Sequence, residues 1–344
     1  MATLAILVLV LVFGGRALAQ ESWDAVIQAA KKEGKVVQYM TSGWEAALEE
    51  KGGIDLFHKK YGIKVETVVM RSREVRERVN TERRARRIVA DVAASGATSL
   101  SALWEEGGLE QWHPPSINEL RPEVAKAMDL PRVAITPIQV SLRGIFVNTR
   151  LIPAGKEPKC WRDLVDPVWR GKIIMDDPRS AGAGYSWFVT TLELPELGEA
   201  YHRKLAENKP FIVAVGGANE VETAVANGQF GIGIPMDMDV ILKPKAPTTK
   251  WIPACEGLSY SLNGIGLVKG GPHPNAGKLW IDFLLSKEMQ QIIGQERAPT
   301  RRGVAAARKD WSLDHVKMIP RPLAETAEER NRNYRMAEKI YGVR

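Results

Sequence analysis

Apolar and polar positions along this chain follow two alternating periods, and the switches between them outline its architecture. Behind Ser22, a residue able to cap a helix, apolar residues recur every three to four positions, which predicts a helix over 22–32. A short apolar run over 35–40 reads as a strand closed by the turn Thr41-Ser42-Gly43. The alternation continues with a helix over 44–60, a Val-rich strand over 63–70, a helix from 72 to about 88 capped by Ser72, and a buried strand over 91–94. Strand and helix taking turns argues for a largely parallel sheet covered by helices. A second run of the same kind starts near Val140, with strands over 173–175, 211–215 and 230–234, a helix beginning near Tyr185 and another over 221–226. Residues 259–268 read as extended again. In 271–291, Pro272 and Pro274 break what precedes, Asn275 can cap, and Ala276, Leu279, Trp280, Phe283 and Leu284 recur at helical spacing, predicting one buried amphipathic helix.

The chain has 344 residues, enough for two units rather than one ordinary core. No Gly/Ser-rich linker separates such units. The chain is therefore expected to cross between them by ordered strands, with 140–148 and 259–268 as candidates. The uncharged apolar run 4–13 and the small-x-small triplet Ala17-Leu18-Ala19 before Gln20 read as a secretory signal peptide over 1–19. The run is shorter than the roughly 20 residues a bilayer span needs. No Cys follows it, so no lipid anchor is expected. The formal charge is +7, and loss of 1–19 removes only Arg16. A mildly basic protein can steer anions. Export would place Cys160 and Cys255 in an oxidising compartment, where they can pair, but spacing does not decide whether they do.

In parallel sheets ligands sit outside the carboxyl ends of the strands. That singles out Thr41, Ser42 and Gly43 after the first strand, and Ser95, Gly96 and Thr98 after the third. It also singles out the small-residue stretch 180–184, with Ser180, Gly182 and Gly184, which leads into the helix at Tyr185. Small residues before a helix let backbone N–H groups reach an anion. The stretch has neither the P-loop lysine nor the third glycine of a dinucleotide fingerprint, and a plain strand–helix turn or a helix cap is the competing reading for each loop. Arg143, in a candidate crossing strand, suits a carboxylate or phosphate; a surface ion pair competes. Asp237, in Met236-Asp237-Met238-Asp239, can meet a cation or cap the next helix; capping is favoured, with Asp237 still lining a cleft. The eight arginines of 71–87 suggest nucleic acid at first sight. Val75, Val79 and Ile88 instead mark one apolar helix face, leaving the arginines solvated and partly paired with Glu74, Glu77 and Glu82. There is no Gly-x-Ser-x-Gly elbow, and the five histidines show no metal-ligand spacing.

Several strings together resemble one family. They are Tyr61-Gly62-Ile63-Lys64-Val65-Glu66 followed by the arginine helix and Ala90-Asp91-Val92; Arg143-Gly144-Ile145-Phe146-Val147-Asn148-Thr149; Cys160-Trp161-Arg162-Asp163-Leu164; Trp169-Arg170-Gly171-Lys172-Ile173; and the 271–291 segment. In order and spacing they resemble the family-1 extracellular solute-binding proteins that feed ABC importers. The likeness is nearest the ferric-iron branch, which also holds binders of sugar phosphates, phosphonates, thiamine and polyamines. The resemblance implies a type II periplasmic-binding-protein fold, two α/β lobes joined by two hinge strands. Lobe 1 would comprise 20–139 plus 261–344 and lobe 2 140–260. The small loops, Arg143 and the 235–237 turn would line the cleft. It further implies a periplasmic monomer without cofactor, catalysis or nucleic acid, whose partners are a small-molecule or ion ligand and an inner-membrane ABC permease. Many ferric-binding members hold iron with adjacent tyrosines after the strand corresponding to 230–234. Here that place reads Met-Asp-Met-Asp and no tyrosine pair stands anywhere in the chain, so no metal ligand is assigned, and an anion such as a phosphate ester, or a ferric chelate, gains weight over iron held directly by phenolates. A periplasmic enzyme acting on phosphate esters and a sensor partnering a receptor are the alternatives. The 271–291 helix is expected in the core of lobe 1, away from the ligand.

Overall fold

The computed structural model describes residues 22–41, 46–130, 132–213, 217–242, 248–321 and 325–342; the expected leader over 1–19, Ser42 and Gly43 lie outside them. The first run comprises α1 (Trp23–Glu33), β1 (Lys35–Thr41), α2 (Gly53–Tyr61), β2 (Lys64–Met70), α3 (Ser72–Arg84), β3 (Val92–Gly96), α4 (Ala97–Glu105) and α5 (Pro122–Ala127). The long strand β4 (Thr136–Asn148) leads to β5 (Ile173–Asp176), α6 (Ala183–Leu192), α7 (Gly198–Glu207), β6 (Phe211–Val213), α8 (Gly217–Ala226), β7 (Ile232–Asp237) and β8 (Thr249–Ile252). The chain returns through β9 (Ser259–Leu267), α9 (Pro274–Leu284), α10 (Lys287–Ile293) and β10 (Ala298–Pro299), and ends in α11 (Ala327–Tyr341). Among these residues no helix is long and apolar enough to cross a membrane.

One mixed sheet runs β2-β1-β3-β9-β4-β7-β5-β6, with β8 and β10 also on β4. β2, β1 and β3 are parallel, as are β7, β5 and β6; the antiparallel strands β9 and β4 join the two sets. Strand alternation divides the apolar residues between two faces. Val36 and Met40 join one core with Phe57, Leu279 and Trp280, whereas Val37 and Tyr39 join the other with Val75, Val79 and Leu100.

The amphipathic helix predicted within 271–291 is α9, and its apolar face is buried as expected. Trp280 packs edge-on against Phe57 with ring centroids 4.8 Å apart, and its Nε1 donates to Gln38 Oε1 at 2.7 Å. At Gly277 an added Cβ would stand 2.8 Å from Leu267 Cδ1, so a larger residue there would have to displace that side chain where α9 packs on β9. The cap differs from expectation. Asn275 is already inside the helix, and Glu33, at the end of α1, accepts from Ala276 N at 2.7 Å and Asn275 N at 3.3 Å. Two predicted helices are also shorter. The helix over 44–60 breaks at Gly52, which takes φ +76°, separating a π-helical turn at Ala46–Glu50 from α2. α3 stops at Arg84 because Arg86 turns into the left-handed region at φ +52°.

Cys160 and Cys255 form a disulfide. Beside it, the buried carboxylate of Glu256 accepts from Trp161 N at 2.8 Å and Arg162 N at 3.0 Å. The return segment is pinned by the buried Arg121, which clasps Asp314 at 2.5 and 3.0 Å; that guanidinium holds the Asp314 carboxyl down to about 2. The sequence reading grouped 261–344 with the first unit. Its last helix, α11, packs instead on α7 and α6, elements of 140–260: Tyr341 Oη and His202 Nδ1 are 2.8 Å apart, and the Tyr185 and Tyr334 rings lie 4.6 Å apart.

Candidate functional site

A cleft of about 680 Å³ opens where the carboxyl ends of the two parallel strand sets face each other across β9 and β4. One wall carries Ser72, Arg73 and Arg76 from the first turns of α3, and Gly96 to Ser99 from the β3–α4 junction. The opposite wall carries Ala181 and Gly182 before α6, then Tyr185 and Ser186 within it. Arg143 of β4 and Tyr260 to Leu262 of β9 form the floor. Arg321, Glu325, Arg330 and Tyr334 arrive from the C-terminal segment.

The cleft therefore takes five of the twelve positions picked from sequence: Gly96, Thr98, Arg143, Gly182 and Tyr185. The others fall elsewhere. Ser95 belongs to β3, fully buried, with its hydroxyl 2.5 Å from Ser72 Oγ; strand parity turned it inward. Thr41 ends β1, and neither it nor Ser180 is among the lining residues. Gly184 is buried against the end of β5: its N–H donates to Asp176 Oδ2 at 2.7 Å, and a Cβ would meet the Asp176 carbonyl oxygen at 2.3 Å. Asp237 ends β7 directly opposite Arg143 in register, and its Oδ1 lies 3.1 Å from Arg143 Nε. The N–H does not point along that line, so this is a charge contact rather than a hydrogen bond. Asp237 stands directly before the helical turn Met238–Leu242, and it is not among the described lining residues of the cleft, contrary to expectation. Arg143 Nη2 also donates to Ser261 Oγ, so Arg143 lines the cleft while its largely buried side chain is paired within the sheet rather than on the surface.

The cleft is cationic. Its described lining holds Arg73, Arg76, Arg143, Arg321 and Arg330 against one carboxylate, Glu325. Arg73 is paired with Glu77 one turn on, Nε to Oε1 2.6 Å. Arg321 donates to Ser186 Oγ at 3.0 Å. Arg76 is half-buried on the cleft wall and has no hydrogen-bond or ion-pair partner among the described residues. α4 starts behind Gly96, which has no side chain to cap its first N–H groups, whereas in the first turn of α6 the Asp176 carboxylate takes the Gly184 N–H. The partial positive charge at the start of α4 adds to the arginines. Sequence reading had placed the α3 arginines in solvent; the signal for Arg76 was its place one turn past a strand end. Nothing in sequence announced Arg321, Arg330 or Tyr334, which a long return brings in.

Three phenols line the cleft, and burial raises all three above the ordinary tyrosine range; for Tyr185 the carboxylate of Glu325, accepting its proton at 2.6 Å, adds to the rise. They stay protonated donors at neutral pH. Among the described residues, the one group of His, Cys, Asp and Glu atoms close enough to hold a metal is Cys160, Cys255 and Glu256, whose sulfurs are in the disulfide.

His202 links α7 to α11, the helix that also carries Arg330 and Tyr334 of the cleft. It is fully buried between Thr191 Oγ1 at 2.9 Å and Tyr341 Oη at 2.8 Å, and desolvation pushes its pKa down to about 3 from 6.5. The unfolded chain thus binds a proton the folded one refuses, so stability falls as pH drops from 6.5 towards 3. At pH 5 the loss is about 2 kcal/mol. Urea unfolding of the wild type should lose about that much more between pH 7 and pH 5 than His202→Gln; equal losses would contradict it.

Residues 88–318 match the family model of bacterial extracellular solute-binding proteins. An uncharacterised protein of Haemophilus influenzae is 30% identical over 246 residues, covering 70% of each chain. A Salmonella typhimurium protein provisionally named a 2-aminoethylphosphonate-binding periplasmic protein is 28% identical over 173 residues, 46% of this chain and about half (49%) of that relative. Among solved structures, the periplasmic binding protein AfuA of Actinobacillus pleuropneumoniae, with fructose-6-phosphate bound, superposes with a TM-score of 0.66 at 22% identity, over 91% of this chain and 100% of AfuA. The fold is that of the type II periplasmic-binding proteins, as expected from the resemblance. With two thirds of its length matched by the family model and its cleft set where strand ends from both halves meet, the chain belongs to the bacterial extracellular solute-binding proteins.

Proposed function

We propose that this protein is the periplasmic capture component of an ABC importer, and that its solute is a small anion of the phosphate-ester or phosphonate kind. Arg76 carries the reading: its guanidinium lines a cleft with four other arginines, reaches solvent and has no partner among the described residues. A cation so placed is free to pair with an entering anion through its planar fork of donors. The names of two similar proteins, one for a phosphonate and one with a sugar phosphate bound, support the same ligand chemistry. Ferric iron fits less well, because five guanidiniums set against one carboxylate among the described lining residues repel a trivalent cation.

In this reading β4 and β9 are the crossing strands, which separate 20–139 with the returning 261 onward from 140–260. α11 travels with the latter. Ligand touching both walls stabilises the closed arrangement, which an inner-membrane permease then receives. Segment 1–19 is removed on export, and the mature protein acts as a monomer that releases its solute chemically unchanged. Native mass spectrometry of protein purified from the periplasm should show a chain starting at Gln20 with a bound anion. Returning that anion to stripped protein should shrink the radius of gyration in X-ray scattering. A bound metal, or identical scattering with and without saturating anion, would refute the reading.

A further inference from the structure

Four donors, three of them on cleft-lining residues and the fourth on Asn333 of α11, surround one pair of oxygens, and those oxygens belong to Glu325. Tyr185 Oη donates to Glu325 Oε1 at 2.6 Å, and Asn333 Nδ2 donates to the same atom at 2.7 Å. Glu325 Oε2 stands 3.7 Å from Arg321 Nη2 and 3.7 Å from Arg330 Nε. A phenol, a primary amide and two guanidinium groups converging on one point make the donor set of an oxyanion site. Here the chain's own carboxylate fills it.

Two features set this apart from a structural ion pair. The first is length. Arg121 grips Asp314 through two nitrogens at 2.5 and 3.0 Å, whereas Arg321 and Arg330 stop at 3.7 Å, beyond charge-assisted hydrogen-bond range. One nitrogen of each is bonded elsewhere, Arg321 to Ser186 Oγ at 3.0 Å and Arg330 to the Glu325 backbone carbonyl at 3.2 Å, and neither guanidinium donates to the Glu325 carboxylate. The second is place. Glu325 is the sole carboxylate among the described lining residues, set among five arginines, and its side chain keeps 14% exposure to the cleft.

We propose that Glu325 is a built-in competitor, a carboxylate of the chain itself that holds the phenol, amide and guanidinium donors until the solute's anionic group takes them over. This rests on the reading of the cleft as an anion site. A tethered carboxylate acts at an effective concentration on the order of millimolar, so it lowers apparent affinity without closing the site. It also sets specificity. A monocarboxylate offers the donors nothing that Glu325 does not already give, whereas a phosphate or phosphonate brings about −1.5 to −2 charges and three acceptor oxygens. Glu325 thereby filters against monocarboxylates.

The test is calorimetric titration of the full mature chain, stripped of solute, with inorganic phosphate and with acetate at fixed ionic strength. Glu325→Gln should bind phosphate about tenfold tighter than wild type and gain measurable acetate binding. Glu325→Ala should shift the same way, which guards against the glutamine amide creating a new contact or a misfolded variant. Circular dichroism confirms the fold of each. Phosphate binding by the wild type that is not tightened in either variant overturns the competitor and makes Glu325 a positioning residue, while the anion reading stands. Absence of phosphate binding from wild type and both variants, with another class of solute retained in native mass spectrometry, removes the anion reading and the competitor together.

Discussion

Arg76→Ala is expected to weaken binding of the anionic solute by about 10- to 150-fold, the equivalent of roughly 1.5–3 kcal/mol for one hydrogen bond to a charged group. The unfolding midpoint should barely move. The reason is the same in both halves of the prediction: Arg76 lines the cleft and has no partner among the described residues, so its removal orphans nothing in the protein. Arg143 is the contrasting case. It sits 3.1 Å from Asp237 and donates to Ser261, and removing it leaves Asp237 without its counter-charge between β7 and β4. Arg143→Ala would thus lose stability and binding together and could not separate them. Calorimetry on Arg76→Ala and Arg76→Lys, with the anion found bound to purified protein, is the direct measurement. Lysine should recover part of the loss through charge alone, without the planar fork. Unaltered affinity in Arg76→Ala would remove the observation on which the proposed function rests.

Replacing both cysteines, Cys160→Ser with Cys255→Ser, should cost about 3–5 kcal/mol of unfolding free energy. The bridge closes a loop with a sequence separation of 95, and the chain-entropy account gives about 4.7 kcal/mol for a loop of about 100 residues, with measured losses usually at or below that. The contacts beside it share in the loss. Cys255 N donates to Lys159 O at 3.0 Å, and Glu256 caps the following turn through Trp161 N and Arg162 N, so both depend on the two segments staying in register. Urea unfolding of the oxidised wild type against the double variant reads the difference. A gap below about 1 kcal/mol would mean that the Glu256 contacts alone hold the segments.

Particular residues show where sequence reading reaches and where it stops. The burial of Leu279, Trp280 and Phe283 was legible because helical period and core membership are both local properties. The cap of that same helix was not, because Glu33 reaches it from the end of α1, far away in the chain. Ser95 and Arg76 failed in opposite directions. A one-residue difference in strand parity buried Ser95, and a helix face read as solvated turned Arg76 to the cleft wall. The tyrosines give the same lesson. The chain has no adjacent pair, yet Tyr185 and Tyr334 pack with ring centroids 4.6 Å apart, and Glu325 holds the Tyr185 proton.

The sequence by itself determined the alternating α/β architecture, the extended stretches that become β4 and β9, the family, and the small-residue turns at strand ends, because each is written in neighbouring residues and their spacing. Only the tertiary structure decided the charge of the cleft. That charge depends on which arginines find carboxylates and which do not. Glu77 answers Arg73 within one helix, Asp237 answers Arg143 across two strands, Glu325 comes from the C-terminal segment, and Arg76 is answered by none of the described residues. Pairing is a matter of distance in space, which falls off over a few ångströms, and the chain path that sets it runs through the whole fold.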